Sequence, residues 1–307
     1  MRQVRCPVCG HDGLFNVVEM WKEYTLYECG RCDLVFSYPM EGPGREWYEC
    51  CWIYNLGRAE CRTTCWYHDF FLHGQRGDGQ RLLDVGCGTG GFLARARELG
   101  FNVVGIDFDR RSVELAKSRF GLSDIFSGSL AEFFSTRPDE RFDIVTCFEV
   151  LEHMADPNEF IALVRRALKP GGQVALSVPN RSRVVDGFSE GDYPPNHLTR
   201  WSAASLRGFL ERNGFEIEKL RVKPLGGDDV AGWLNAKVRY RVGRALSHIG
   251  GRAEDSALLA RLAALTGMTY RLFRGLTLPL VPFLKLASLQ GAGLFCVARV
   301  RGRASAE

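Results

Sequence analysis

The chain has 307 residues, 46% hydrophobic and 25% charged, which is ordinary globular composition for one large domain with an appendage. Its eleven cysteines do not indicate a disulfide framework, because the chain is large and four of them stand in metal-ligand spacing. The formal charge of +4 is uneven: from Arg221 onward fourteen Lys/Arg face five Asp/Glu, about +9, which leaves about −5 for the rest. Such a basic segment suits an acidic substrate, phosphate, nucleic acid or lipid surface, or is an arginine-rich solvated helix face.

The opening MRQVRCPVCG has no apolar run of signal-peptide length, and the late apolar stretch GLTLPLVPFLKLASLQGAGLFCVA is broken by Lys285, Gln290 and two prolines. The expectation is a cytoplasmic protein of a reducing compartment with no spanning helix. Cys6-Pro-Val-Cys9 and Cys29-Gly-Arg-Cys32 form two C-x2-C pairs with nineteen residues between them. Each pair sits on a tight turn that aims two thiolates at one ion, and four soft ligands suit tetrahedral Zn2+. Gly10 and Gly30 supply backbone freedom at the two knuckles. FNVVEM and YTLYEC alternate like short strands between the pairs, so residues 1–42 resemble a zinc ribbon. With all four positions filled by protein, the zinc is structural.

Residues 43–80 contain EWYECCWIYNLGRAECRTTCWYHDFFLH, rich in aromatics and read as a helical lid or linker. Cys50, Cys51, Cys61 and Cys65, with His68 and His73, match no metal-site spacing. Cys61-x3-Cys65-x2-His68 approaches the radical-enzyme cluster motif but carries histidine for its third cysteine. The expectation is packing cysteines on helices.

In RLLDVGCGTGGFLARARELG, Arg81–Val85 reads as a buried strand, Gly86 to Gly91 as a tight turn, and Phe92–Leu99 as an amphipathic helix closed by Gly100. Glycines let backbone approach a ligand, and the helix N-terminus offers free N–H donors. NVVGIDFD is a second strand, ending in Asp107, twenty-one residues after Gly86, where a carboxylate can accept both hydroxyls of a ribose. Taken alone, Gly86-x-Gly88-x-x-Gly91 with Asp107 also satisfies a dinucleotide fingerprint. The rest of the chain separates the readings. RFDIVTCFEVLEHM and ALKPGGQVALSVPN add two strands with a helix between them.

The ordered set LDVGCGTG, GIDFD, FDIVTCFEVLEH and LKPGG resembles the class I S-adenosylmethionine-dependent methyltransferases, densely over 81–180. The resemblance implies an α/β, Rossmann-like doubly wound, mostly parallel sheet with helices on both faces. It places Asp84, Gly86, Cys87, Gly88 and Gly90 around the methionine part of S-adenosylmethionine, Asp107 on the ribose and Phe108 against the adenine, with Phe148 in the same set. Ser129 and Leu130 stand where many relatives put an acidic residue near the adenine amino group, so that contact is either made by backbone or absent.

Glu149 follows the strand Phe142–Phe148 at the carboxyl edge, where parallel α/β sheets place ligands. A helical turn there would put Glu149, Glu152 and His153 on one face. Glu-x-x-Glu-His is similar to the sequence at this point in the ubiquinone-pathway catechol O-methyltransferases and the small-RNA 2′-O-methyltransferases, where it helps hold a divalent cation. The resemblance implies Mg2+ or Mn2+ acidifying a hydroxyl. The other readings are His153 as a general base, losing rate near its ordinary pKa of about 6.5, and a structural role. Tyr-Pro-Pro-Asn-His197-Leu-Thr-Arg-Trp is a rigid loop before a helix capped by Ser202, resembling loops of bacterial methyltransferases acting on sugars or secondary metabolites. His197 is a second base candidate, or completes the metal set.

The expected domain is 81–227. A helical insertion, 228–288, is read as a substrate-covering cap, a membrane-surface element or a dimer face. A final strand lies in 289–303, with FEIEKLRVKPLG and GLFCVARVRG as the last two, antiparallel strands. The leading function is an O-methyltransferase of a small-molecule, sugar or glycan, or lipid-linked acceptor. The alternatives are an RNA methyltransferase, disfavoured for want of a recognisable RNA-binding module, and a non-catalytic S-adenosylmethionine-binding protein working through its zinc module and basic tail.

Overall fold

A computed structural model describes residues 4–50, 65–185, 190–227, 229–235, 237–238, 256–277, 279, 282–283 and 289–302. The N-terminal strands β1 (Asn16–Trp21), β2 (Tyr24–Glu28) and β3 (Val35–Tyr38) form an antiparallel meander. The helices Gly44–Cys50 and Trp66–Leu72 follow. Cys51 and Cys61 lie outside the described residues, while Cys65 precedes the second helix and His68 sits within it.

Next come β4 (Arg81–Val85), β5 (Asn102–Asp107), β6 (Ile125–Ser127), β7 (Phe142–Phe148) and β8 (Leu168–Pro179), all parallel. The two-residue β9 (Thr199–Arg200) leaves this domain and pairs with β3 in the N-terminal sheet. The strands β10 (Phe215–Pro224) and β11 (Gln290–Val300) are antiparallel, as expected, and finish the large sheet in the order β10-β11-β8-β7-β4-β5-β6. The chain moves outward from β4 to β6 and then returns to β7 on the other side of β4. This reversal opens a crevice at the carboxyl ends of β4 and β7, where ligands bind in such sheets.

Each strand of the sheet interior is apolar on both faces because helices cover both. Alternation sends Leu83, Val145 and Leu176 into one core and Leu82, Ile144 and Ala175 into the other. The first core continues without a break into the N-terminal module, through Trp201, Phe36, Leu34, Cys29 and Cys6. Cross-links reinforce the join: Asn158 donates to the Pro7 carbonyl at 2.7 Å, and Arg181 pairs with Glu28 and Asp33. The expected cap at Ser202 is present, with its hydroxyl accepting from Ser205 N–H at 3.1 Å. Among the described residues, no helix is long and apolar enough to cross a membrane.

Candidate active site

The turn after β4 is strapped to β5 by Gly86 and Cys87 N–H groups, both donating to the Ile106 carbonyl at 2.8 and 3.0 Å. Gly86, Gly88 and Gly90 all have positive φ, but for different reasons. A Cβ at Gly86 would strike Val150 and one at Gly90 would strike Leu122 and Ala116, whereas one at Gly88 meets nothing within 4 Å. Gly88 therefore lines open space, while the other two serve close packing. The Asp107 carboxylate accepts from Gly88 N–H at 2.7 Å and from Asp109 N–H at 2.8 Å, which fixes it beside the turn.

Asp84 is buried directly opposite Thr146 on β7, whose hydroxyl donates to it at 2.6 Å. Burial pushes its carboxyl up to about 8, with the charge of Asp107 adding to the effect and the Thr146 bond opposing it. Phe108 faces the Arg45 guanidinium at 5.6 Å and the Tyr48 ring at 5.9 Å, so the helix Gly44–Cys50 lies over this side of the crevice.

The remaining residues expected on the cofactor side divide. Ser129 caps the helix Leu130–Thr136 in a reciprocal pair with Glu132, so its hydroxyl is engaged within the helix start. The side chains of Cys87, Leu130 and Phe148 are in the two cores, which leaves backbone as the contact that Cys87 and Leu130 can offer. Phe148 stacks on Tyr67 at 5.2 Å, and the helix Trp66–Leu72 thereby closes one wall of the site.

Beyond β7 the structure regroups the acidic and histidine candidates. Glu149 has a φ of 56°, and this left-handed residue turns its carboxylate back to accept from the Ser177 hydroxyl at 2.7 Å. Burial moves it up to about 7. The turn that follows is a tight one, Leu151–His153, and it brings Glu152 and His153 against His197, with Glu149 near enough for its charge to act on Glu152. One ligand atom from each of the three lies within 4.8 Å of the others.

Glu152 is 1% exposed, and neither carboxylate oxygen has a hydrogen-bond partner. Burial first, then the charge of Glu149, raises it well above the usual carboxylate range. The His153 Nδ1 donates to the Asn196 carbonyl at 2.7 Å, the ring also bonds the Glu149 backbone, and Nε2 lies 3.9 Å from Glu152 Oε1. His197 Nε2 is 4.0 Å from the same oxygen, with Nδ1 3.6 Å from Asp192. Burial holds His153 down to about 4 and His197 to about 3, so both imidazoles are neutral near pH 7. A buried carboxyl group beside two neutral imidazoles is a set of residues that could ligate a cation.

A family model described as a methyltransferase domain matches residues 61–220, more than half of the chain. The chain belongs to the methyltransferase domain family. It is 34% identical over 186 residues to the ubiquinone biosynthesis O-methyltransferase of Dechloromonas aromatica, covering 53% of this chain and 79% of that protein. It is 42% identical over 108 residues to the enzyme of the same name from Pseudomonas syringae pv. tomato, covering 34% and 46%. The chain spans about half the length of the first relatives it matches, 53% and 46%. The solved structure of the cyclopropane synthase MmaA2 from Mycobacterium tuberculosis superposes with a TM-score of 0.55 at 15% identity, covering 84% of this chain and 99% of that one, a likeness of fold.

For a methyltransferase the crevice fits S-adenosylmethionine. Gly88 faces room for a ligand, the Asp107 carboxylate is fixed beside the turn at the end of β5, where an acceptor for ribose hydroxyls is expected, and buried Asp84 is an acid whose ionised form calls for a cation such as an amino-acid ammonium. The N-terminal module fits a tetrahedral ion equally well. Cys6 and Cys32 Sγ are 3.6 Å apart, as are Cys9 and Cys29, and all four lie within 4.8 Å of one another. The two knuckles are similar in backbone: Gly10 and Asp33, each four residues after the first cysteine of its pair, take the left-handed conformation. The freedom expected of Gly30 is therefore used at Asp33, a strained non-glycine held by Ser202 and Arg181. Sequence reasoning missed Asp192, Asn196 and Tyr67, which orient or enclose the cluster. The Tyr-Pro-Pro-Asn loop was the only signal for the first two.

Proposed function

We propose that the protein is an S-adenosylmethionine-dependent O-methyltransferase of a small hydroxylated acceptor, a sugar or glycan, or a lipid-linked molecule. The observation that carries this is Glu152, buried without a partner for either oxygen, facing the Nε2 atoms of His153 and His197 at the carboxyl edge. A hydroxyl must lose its proton as it attacks, and this cluster is where the fold gathers groups to deal with that proton. The relatives named O-methyltransferases favour the same reading.

S-adenosylmethionine supplies an electrophilic methyl on a sulfonium that is already a leaving group. The protein's part is positioning, which is worth roughly 7–11 kcal/mol when reactants are held in line. Gly88 and Asp107 fix one reactant, and the wall made by Tyr67 and Phe148 excludes water from the other. Glu152, His153 and His197 would hold a divalent cation, whose chemistry is to lower the pKa of a bound hydroxyl. Two imidazoles with one carboxylate suit manganese better than magnesium, which prefers an all-oxygen shell. Cys6, Cys9, Cys29 and Cys32 would hold a structural zinc that ties the N-terminal sheet to the domain.

The test is transfer of labelled methyl from S-adenosylmethionine to panels of phenolic, sugar and lipid-linked alcohols, with the product linkage read by NMR. A methyl ether is expected. Methyl found only on nitrogen or carbon, or His197→Ala turning over as fast as wild type, overturns the reading.

A further inference from the structure

We infer that the helix Ser256–Thr277 docks the protein on the surface of an anionic phospholipid bilayer. The inference is independent of the acceptor and of the catalytic cluster. The helix runs 22 residues and lies in the chain between the antiparallel strands β10 and β11. It carries Leu265, Met268, Leu272 and Leu276 with 48%, 66%, 61% and 67% of their surface open. At about 100° per residue these four fall within an arc of about 80°, a stripe about 16 Å long on one side of the helix. Four large apolar side chains in one line are a patch, unlike single exposed leucines scattered over a surface. Phe283, beyond the helix end, is 73% open as well.

The side next to the stripe is held to the domain. Thr269 Oγ1 bonds Asn235 at 2.6 Å, and Thr277 Oγ1 donates to the Gly227 carbonyl at 3.0 Å. The other side carries the exposed Arg271 and Arg274. The stripe therefore faces out because the helix is tethered by its threonines, and a cationic border follows it.

Charge selects the occupant. Ser256–Thr277 contains Arg261, Arg271 and Arg274 and no acidic residue, so a second copy of the same helix offers no counter-charge. An anionic leaflet supplies both an apolar layer for the stripe and phosphates at the depth of the arginines. The excess of basic residues from Arg221 onward favours the same partner. The helix lies on the bilayer rather than through it, since no described helix has the length and hydropathy to cross.

Co-sedimentation of the full chain with vesicles tests this, using equal parts phosphatidylglycerol and phosphatidylcholine against phosphatidylcholine alone. Wild type is expected to pellet with the anionic vesicles, to stay in solution with the zwitterionic ones, and to be released by salt. Arg271→Ala should weaken binding about fivefold, the worth of one arginine at such a surface. Met268→Glu with Leu272→Glu should abolish it while leaving calorimetric binding of S-adenosylhomocysteine unchanged, which reports that the domain is folded. Wild type remaining in solution with both vesicles overturns the inference, and so does undiminished pelleting of the double variant. A dimer seen by light scattering that the double variant splits, with no vesicle binding, would assign the stripe to a second copy instead.

Discussion

Replacing Glu152 by glutamine separates the cost of this carboxylate from its use. In the folded chain the side chain is 1% exposed, both oxygens lack partners, and Glu149 raises its pKa further. The Nε2 atoms of two neutral imidazoles stand 3.9 and 4.0 Å from it, too far to hydrogen-bond, so neither offsets the burial of the charge. Removing an unpaired buried polar charge of this kind returns about 1–3 kcal/mol. Glu152→Gln should therefore raise the melting temperature of chelator-treated protein by roughly 2–10 °C at neutral pH. The sign with pH follows from the raised folded pKa. The carboxyl is protonated in both states below its unfolded value of about 4.3, and the penalty grows as pH rises from there toward the folded pKa. The variant's advantage should shrink toward zero near pH 4. Added manganese should reverse the ranking: at a hundred times its dissociation constant it stabilises wild type by about 2.7 kcal/mol, a gain the variant forfeits. Differential scanning fluorimetry across pH, with and without manganese, reads all three. A variant no more stable than wild type without metal at neutral pH refutes the reasoning, because it would mean that the carboxylate already has a partner.

Asp107→Ala should weaken S-adenosylhomocysteine binding by about tenfold to a hundredfold in calorimetry, since a charged acceptor is lost and the Gly88 amide is released with it. His197→Ala should cut turnover while leaving that affinity within about twofold, the split expected of a group on the acceptor side. In a profile of turnover against pH, the loss near 6.5 expected of an ordinary histidine should be missing: burial keeps His153 and His197 neutral down to about 4 and about 3, so the imidazoles stay unprotonated throughout pH 5 to 8. Cys29→Ser should abolish zinc found by elemental analysis. Because β3 pairs with β9 and the core is shared, it should also raise amide hydrogen exchange at 198–201, beside His197, rather than leave the central domain untouched.

Local spacing carried most of the fold and half of the site. The glycine turn, Asp107 and the two cysteine pairs were legible because each depends on residues a few positions apart, joined by one turn whose backbone demands the sequence states directly. The central strands were legible for a similar reason, as short apolar runs bounded by turn residues. The acceptor side was not, although Glu149, Glu152, His153 and His197 had each been noticed. Glu149, Glu152 and His153 share a helical face only if a helix forms, and the left-handed backbone at Glu149 prevents it. His197 joins the cluster because the loop from Asp192 to Leu198 folds back, with Leu198 N–H donating to the Glu152 carbonyl at 2.8 Å. The protonation states of the cluster are tertiary as well, since they follow from burial that no single segment provides. The same holds for the N-terminal module: spacing determined its cysteines, but only the pairing of β3 with β9 decided that it is part of the domain's core. Short-range geometry is encoded residue by residue, whereas desolvation and long-range pairing depend on what the rest of the chain places around each group.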